Sequence, residues 1–153
     1  ASKIGIAARV KTLFGKKEAP THAIRGLYIY GTVGRGKTYL MDLFYDCLPP
    51  EEKMRMHFHR FMHETHHRLN QVKNEKEPLQ LVANHFRKRT RILCLDELFV
   101  ADIGDAMLLS GLLTAMFESG ITLVTTSNCT PDNLYKDGLQ RAPLSTCHRI
   151  TQE

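Results

Sequence analysis

One octapeptide of this chain has the residue types and spacing of a phosphate-binding loop. It fits the pattern G-x-x-x-x-G-K-[ST]. Successive main-chain N–H groups in such a loop form a concave anion site, and glycines let a phosphate approach the main chain closely. The lysine reaches the β- and γ-phosphates and the last hydroxyl binds Mg²⁺. The predicted nucleotide-binding residues are Gly31, Thr32, Val33, Gly34, Arg35, Gly36, Lys37 and Thr38, with Lys37 also catalytic and Thr38 a metal ligand.

A pair of acidic residues supplies the second part of the predicted site. Asp96 and Glu97 directly follow the apolar run Arg91–Leu95. Alone, such a pair is typical of a helix N-cap, but together with a phosphate loop it indicates catalysis. We expect Asp96 to hold Mg²⁺ and Glu97 to act as general base on the attacking water. A carboxylate beside the metal ligand favours hydrolysis over phosphoryl transfer, and the lack of an [NT]-K-x-D motif favours ATP over GTP.

Asn128 is a third candidate catalytic residue. It follows the predicted strand Ile121–Thr125, so its amide would lie at the next strand end. There it would orient the water or contact the γ-phosphate. The alternative is a turn residue before Pro131.

Strands that alternate with helices must position these residues. The pattern predicts strands at Leu27–Tyr30, Met54–Phe61, Arg91–Leu95 and Ile121–Thr125. Predicted helices cover the segment from Leu40 to Cys47, then Met62–Lys73, Leu79–Arg89, Asp102–Glu118 and Pro131–Gln140. The fourth should bury a wide face made of Ile103, Met107, Leu109, Leu112, Leu113, Met116 and Phe117. This order indicates an α/β fold with a three-layer parallel sheet, whose strand carboxyl ends form the ligand site.

The composition is that of a globular protein of one domain. The chain has 153 residues, 42% hydrophobic and 24% charged, and no apolar run long enough to span a membrane. Four widely spaced cysteines favour free thiols in a reducing compartment, the cytoplasm. The charge of +5 permits an anionic partner, but no interleaved aromatic and arginine residues indicate base stacking, so nucleic acid is not favoured.

Two further segments leave alternatives open. Residues 1–20 are basic and predict a helix that leans on the core, with peripheral association at the inner membrane surface as the alternative. His57 and His59 are expected on one face of the second strand, as part of a partner surface or as ordinary packing. His63 with His66 or His67 has the spacing of a zinc pair, but no acidic or thiol ligand completes it.

The chain resembles the ZapE family of AAA+ ATPases, which is associated with bacterial cell division and has mitochondrial relatives. The matching motifs run from Arg25-Gly26-Leu27-Tyr28 through the phosphate loop to Met41-Asp42-Leu43-Phe44, His57-Phe58-His59-Arg60-Phe61-Met62, Leu93-Cys94-Leu95-Asp96-Glu97, Asp102-Ile103, Asp105-Ala106-Met107, Thr126-Ser127-Asn128, Leu134-Tyr135 and Gly138-Leu139-Gln140-Arg141. The resemblance implies an AAA+ core, ATP hydrolysis with Mg²⁺, a homo-oligomer and a protein partner such as a cell-division component. It also implies a sensor role for Asn128 and an arginine-finger role for Arg141.

The resemblance stops near Arg141. Residues 142–153 do not continue the family pattern, so we expect a basic segment at 1–20, an ATPase core at 21–141 and an off-pattern tail. The fifth core strand and the helical lid are then expected to be missing. The AAA+ sheet order 5-1-4-3-2 would leave Leu27–Tyr30 as an unpaired edge, and we expect impaired turnover.

Three functions follow from these expectations. The first is an AAA+-type ATPase that moves a subunit or protein partner. The second is a nucleotide-dependent binding switch with little turnover. The third, a nucleic-acid-loading ATPase, rests on the basic charge alone.

Overall fold

The computed structural model of this protein describes residues 25–32, 34–130, 134 and 147–152, without the side chains of Arg35 and Gln152. The predicted basic helix at 1–20 and Arg141 lie outside the described residues, as does the predicted helix Pro131–Gln140 apart from Leu134. Domain boundaries at 20 and 141 therefore stay predictions.

The described residues form a βα alternation. Its elements are β1 (Leu27–Gly31), α1 (Arg35–Asp46), β2 (Lys53–His57), α2 (Phe58–Val72), α3 (Pro78–Arg89), β3 (Ile92–Asp96), α4 (Ile103–Glu118), β4 (Thr122–Ser127) and β5 (His148–Gln152). All strand pairs are parallel, in the order β2-β3-β4-β1-β5. This is the predicted order, and the predicted α/β class is confirmed.

Alternating side chains of the buried strands divide the core into two layers. On one face of the sheet, Cys94 of β3 and Val124 of β4 belong to a cluster with Met41 and Phe44 of α1. On the other face, Leu93 and its neighbours pack with residues of α2, α3 and α4. Because successive strand residues point to opposite faces, one strand serves both layers. The result is a three-layer sandwich in which, of the described helices, only α1 packs on the face that also carries Asp96.

The prediction that the fifth strand is missing is wrong. Residues His148–Gln152 form β5, which runs parallel to β1 and pairs along its whole length, from Leu27 to Gly31. The His148 N–H also donates to the Gly26 carbonyl oxygen at 2.8 Å. Strand pairing uses main-chain groups, so a polar segment outside the family pattern still covers the open edge of β1. β1 is consequently an interior strand, and the predicted edge does not exist. The expected lack of a lid stays a prediction.

Gly26 shows how closely β1 approaches its neighbour. A Cβ added there would lie 1.9 Å from the Leu123 carbonyl oxygen, a distance that no side chain tolerates. Glycine at this position lets the chain enter β1 tightly against the start of β4.

Two other sequence predictions need correction. The second strand ends at His57 instead of Phe61, because α2 begins at Phe58, so His57 and His59 do not share a strand face. In α4, Ile103 and Met107 are 52% and 65% exposed. The buried face of α4 includes Ala106, Leu109, Leu112, Leu113 and Met116, and it excludes Ile103 and Met107. The apolar pattern of this helix predicted a wider buried face than the sheet and the neighbouring helices cover.

Candidate functional site

The phosphate loop joins β1 to α1, as the sequence predicts. Lys37 lies in the first turn of α1 and is only 6% exposed. Its Nζ donates to the main-chain oxygens of Gly31 at 3.2 Å and Thr32 at 2.5 Å. Among the described residues no carboxylate pairs with this ammonium. Since an ammonium has three N–H groups, one donor is left for an incoming anion.

At its described residues, the loop beside Lys37 leaves room for a ligand. Gly34 caps α1 with extended backbone at φ 175°, and α1 has no acidic residue in its first turn. An added Cβ at Gly34 would meet nothing nearer than the Thr32 oxygen at 3.9 Å. The N-terminal N–H groups of a helix without a side-chain cap can bind an anion. Thr38 is exposed one residue further on, whereas Val33 and the Arg35 side chain lie outside the described residues.

Asp96 lies at the carboxyl end of β3 and is held by an arginine of β2. Arg55 Nε donates to Asp96 Oδ2 at 2.7 Å, and Arg55 Nη2 donates to Oδ1 at 3.0 Å. Arg55 Nη1 donates to Asp42 Oδ1 of α1 at 2.6 Å. The hydrogen bonds that Arg55 donates to the Asp96 carboxylate raise the pKa of Arg55 above its ordinary value. One guanidinium thus joins the helix of the phosphate loop to the acidic strand end.

Glu97 follows with strained backbone. Its φ of 57° is one of two positive values among non-glycine residues in the described part of the chain. The Glu97 N–H donates to Thr126 Oγ1 at 3.0 Å, and the Leu98 N–H donates to the Thr126 main-chain oxygen at 2.8 Å. This conformation ends the alternation of β3 and costs on the order of 1 kcal/mol. Such strain persists where surrounding contacts impose it, and it is frequent at functional sites.

His57 holds the Glu97 side chain. Its Nδ1 accepts the His59 N–H at 3.2 Å, so in the neutral ring the proton resides on Nε2. That Nε2 lies 2.9 Å from Glu97 Oε2 and donates to it. Glu97 is 72% exposed in its side chain, which leaves its other oxygen open to solvent. The carboxylate is therefore oriented yet accessible, as a general base must be.

Glu97 and Asn128 line one small cavity. Its volume is about 160 Å³, and its walls are His57, Phe58, His59, Glu97, Leu98, Phe99, Asn128 and Cys129. Asn128 is exposed at the end of β4. The structure thus brings together two of the predicted catalytic residues, one from each of two neighbouring strands.

The loop and the acidic pair lie at the same edge of the sheet. β4 separates β1 from β3, with Tyr30 paired to Ser127 and Leu95 paired to Thr125. Strands are about 4.8 Å apart, so the two strand ends are roughly 10 Å from each other. An extended ligand can contact Lys37 and Asp96 together. The described residues show no direct contact between them.

The side chains fit a magnesium ion bound mainly through nucleotide and water. Thr38 offers a hydroxyl and Asp96 a carboxylate, both hard oxygen donors that Mg²⁺ prefers. Each Asp96 oxygen accepts a single hydrogen bond from Arg55, so lone pairs remain. No group of three or more His, Cys, Asp or Glu residues in the described part could hold a metal alone.

Sequence reasoning did not find Arg55 as a site residue, nor the contact of His57 with Glu97. Arg55 and His57 are two residues apart on β2, so their side chains share the strand face that meets the end of β3. The signal was present in the alternation, but it required the knowledge that β2 neighbours β3.

No helix of the described residues has the length and apolar character to cross a bilayer. Solved structures with this fold include DnaI, with a TM-score of 0.64 and 20% identity over 98% of this chain and 79% of that one. Domain III of DnaA from Thermotoga maritima has a TM-score of 0.63 and 22% identity over 97% of this chain and 62% of that one. At such identities the likeness supports the AAA+ P-loop fold alone.

Curated relatives are closer in sequence. The cell division protein ZapE of Escherichia coli K12 is 56% identical over 139 residues, which are 90% of this chain and 37% of that protein. The lactation elevated protein 1 homolog B of Danio rerio is 41% identical over 83% of this chain and 27% of its own length. The chain thus spans about a third of these relatives. The profile of AFG1-like ATPases matches residues 1–147. The fold, the phosphate loop and this match agree, and the chain belongs to the AFG1-like ATPase family.

Proposed function

We propose that this chain binds ATP with Mg²⁺ and hydrolyses it to act on a protein partner linked to cell division. The observation that carries the proposal is Lys37, a buried ammonium held only by main-chain oxygens among the described residues. A buried charge without a counter-charge is costly. An anionic ligand at the loop would supply that counter-charge.

The roles of the other residues follow from their chemistry. Thr38 and Asp96 hold the metal, which neutralises charge on the phosphates when it is bound. Glu97, oriented by His57, accepts a proton from water, and Asn128 in the same cavity orients that water. Arg141, outside the described residues, is proposed as the finger that completes a neighbouring subunit's site.

The partner is proposed from two features. ZapE of Escherichia coli is named as a cell division protein. Phe99 lines the Glu97 cavity, and Phe99, Ile103 and Met107 are exposed large apolar side chains of the kind that contact another protein chain. Peripheral contact of the basic segment 1–20 with a membrane stays a proposal as well.

Glu97→Gln tests hydrolysis against the alternative of a binding switch with little turnover. We expect steady-state ATP hydrolysis to fall by roughly 10²- to 10⁴-fold, while the affinity for ATP stays within a factor of about three, since the loop is intact. Equal and very slow turnover in both proteins, with ATP-dependent binding retained, supports the switch. Mass measurement with and without ATP tests assembly.

A further inference from the structure

We propose that Arg55 is a positioning residue that sets the magnesium requirement of the site, an inference that rests on the proposed function. Arg55 would hold the Asp96 carboxylate in one orientation and fix it to the helix that carries Thr38. It would act through Asp96, without contacting the nucleotide.

The contacts are those of a rigid clamp. All three Arg55 nitrogens are engaged, two with Asp96 and one with Asp42. Planar, bidentate pairing fixes both the distance and the plane of a carboxylate. The side chains of Arg55 and Asp96 are 23% and 21% exposed, so water competes little for this pair. Asp96 therefore has one orientation before any cation arrives.

The Asp42 contact adds a link across the site. Asp42 lies four residues after Thr38 on α1, one helical turn further along the same face. Arg55 therefore contacts one predicted metal ligand, Asp96, directly. Through Asp42 it also contacts α1, the helix that carries the other predicted ligand, Thr38. A shift of α1 relative to β3 would lengthen the Arg55–Asp42 contact. Because the Asp42 side chain is 54% exposed, this contact favours one position of α1 but holds it less firmly than the paired hydrogen bonds hold Asp96.

Two effects of the guanidinium on metal binding oppose each other. Its positive charge repels Mg²⁺, but this repulsion falls with the distance between the two charges and is weakened by water near the protein surface. Orienting a ligand carboxylate works the other way, and loss of such partners typically lowers metal affinity by 10- to 100-fold. Because Asp96 keeps lone pairs on both oxygens, orientation is expected to dominate.

The test compares nucleotide binding in EDTA and across a Mg²⁺ titration, with the non-hydrolysable analogue AMPPCP. In Arg55→Met we expect half-saturation to require roughly 10- to 100-fold more Mg²⁺, with affinity in EDTA within about twofold of wild type. Arg55→Lys should show a smaller increase, because lysine keeps the charge and loses the fork. Arg91→Met is the matched control, since Arg91 pairs with Glu52 at the other end of β3. It should leave the Mg²⁺ requirement unchanged.

An unchanged Mg²⁺ requirement in Arg55→Met overturns the proposal, and a lowered one shows competition with the cation instead. If that variant does not fold, Arg55→Lys decides by the same criterion. The Arg55 Nε–H resonance of wild type, assigned by its loss in Arg55→Lys, gives an independent readout. It should persist when Mg²⁺ and AMPPCP are added, and its disappearance contradicts the clamp. Wild type that binds no nucleotide in either condition refutes the proposed function, not the role of Arg55.

Discussion

In the loop half of the site, Lys37 is held by main-chain oxygens, whereas in the acidic half Asp96 and Glu97 are held by side chains of β2. Main-chain geometry depends on the fold as a whole and survives most single substitutions. The acidic half depends on Arg55 and His57, so one substitution can disorder it. The loop half should therefore determine whether nucleotide binds, and the acidic half whether bound nucleotide reacts.

The largest expected loss of ATP affinity comes from Lys37→Ala, which removes the buried ammonium of the loop half. We expect ATP affinity to fall by about 100-fold, because a hydrogen bond to a charged group contributes up to about 3 kcal/mol. Calorimetric titration measures it. Lys53→Ala is the control, since Lys53 Nζ also donates to a main-chain oxygen, that of Tyr45, at 2.9 Å. Equal losses in both variants would mean that the loop half is not the nucleotide site.

His57→Ala tests the acidic half. Glu97 loses the donor that orients it, and misplacement of a catalytic group costs up to roughly 10²-fold in rate. We expect kcat to fall by about 10-fold or more, with KM little changed. His67→Ala is the control, because that ring contacts Gln71 of α2 at 3.4 Å and does not line the Glu97 cavity. A change in KM alone would contradict the division between the halves.

Glu97→Gly separates strain from catalysis. Glycine accepts the positive φ without strain but adds entropy to the unfolded chain, so we expect the free energy of unfolding to rise by up to about 1 kcal/mol while hydrolysis is lost. Glu77→Gly is matched to it, since Glu77 has φ 53° at the start of α3. It should gain similar stability and keep full activity. Urea unfolding measures the stability of both variants, and steady-state turnover measures their activity. If Glu97→Gly is less stable than wild type, the backbone at this position is not strained.

The smallest expected effect is a change in stability with pH near β5, the strand that pairs with β1 and so borders the loop half. Burial raises the pKa of the Cys147 thiol, next to β5, from 9.0 to about 11. The folded state keeps this proton longer, so its contribution to stability is present below pH 9 and is lost as pH rises towards 11. The free energy of unfolding should fall by about 1 kcal/mol between pH 8 and 10 from this group. In Cys147→Ala, the free energy of unfolding should depend less on pH between 8 and 10. If this dependence is unchanged, the Cys147 thiol is not its source.

Much of the loop half was predictable from residue types alone. The spacing of Gly31, Gly36 and Lys37 predicts the loop, and the flanking apolar runs predict β1 and α1, which the structure confirms. β3 and the acidic pair at its end were also predictable. These features are local, because each depends on residues within about one element.

The errors share a cause. Pairing of His148–Gln152 with β1, exposure of Ile103 and Met107, and the end of β2 at His57 all depend on neighbours distant in sequence. A polar segment can pair as a strand when an open edge is available, and an apolar helix position stays exposed when nothing covers it.

The sequence by itself determined the nucleotide loop, the acidic strand end and the alternation that builds a parallel sheet, because each is written in neighbouring residues. The tertiary structure alone decided that Arg55 and His57 of β2 hold Asp96 and Glu97 of β3. Those partners are about 40 residues apart in the chain and meet only because parallel strands bring equivalent ends together.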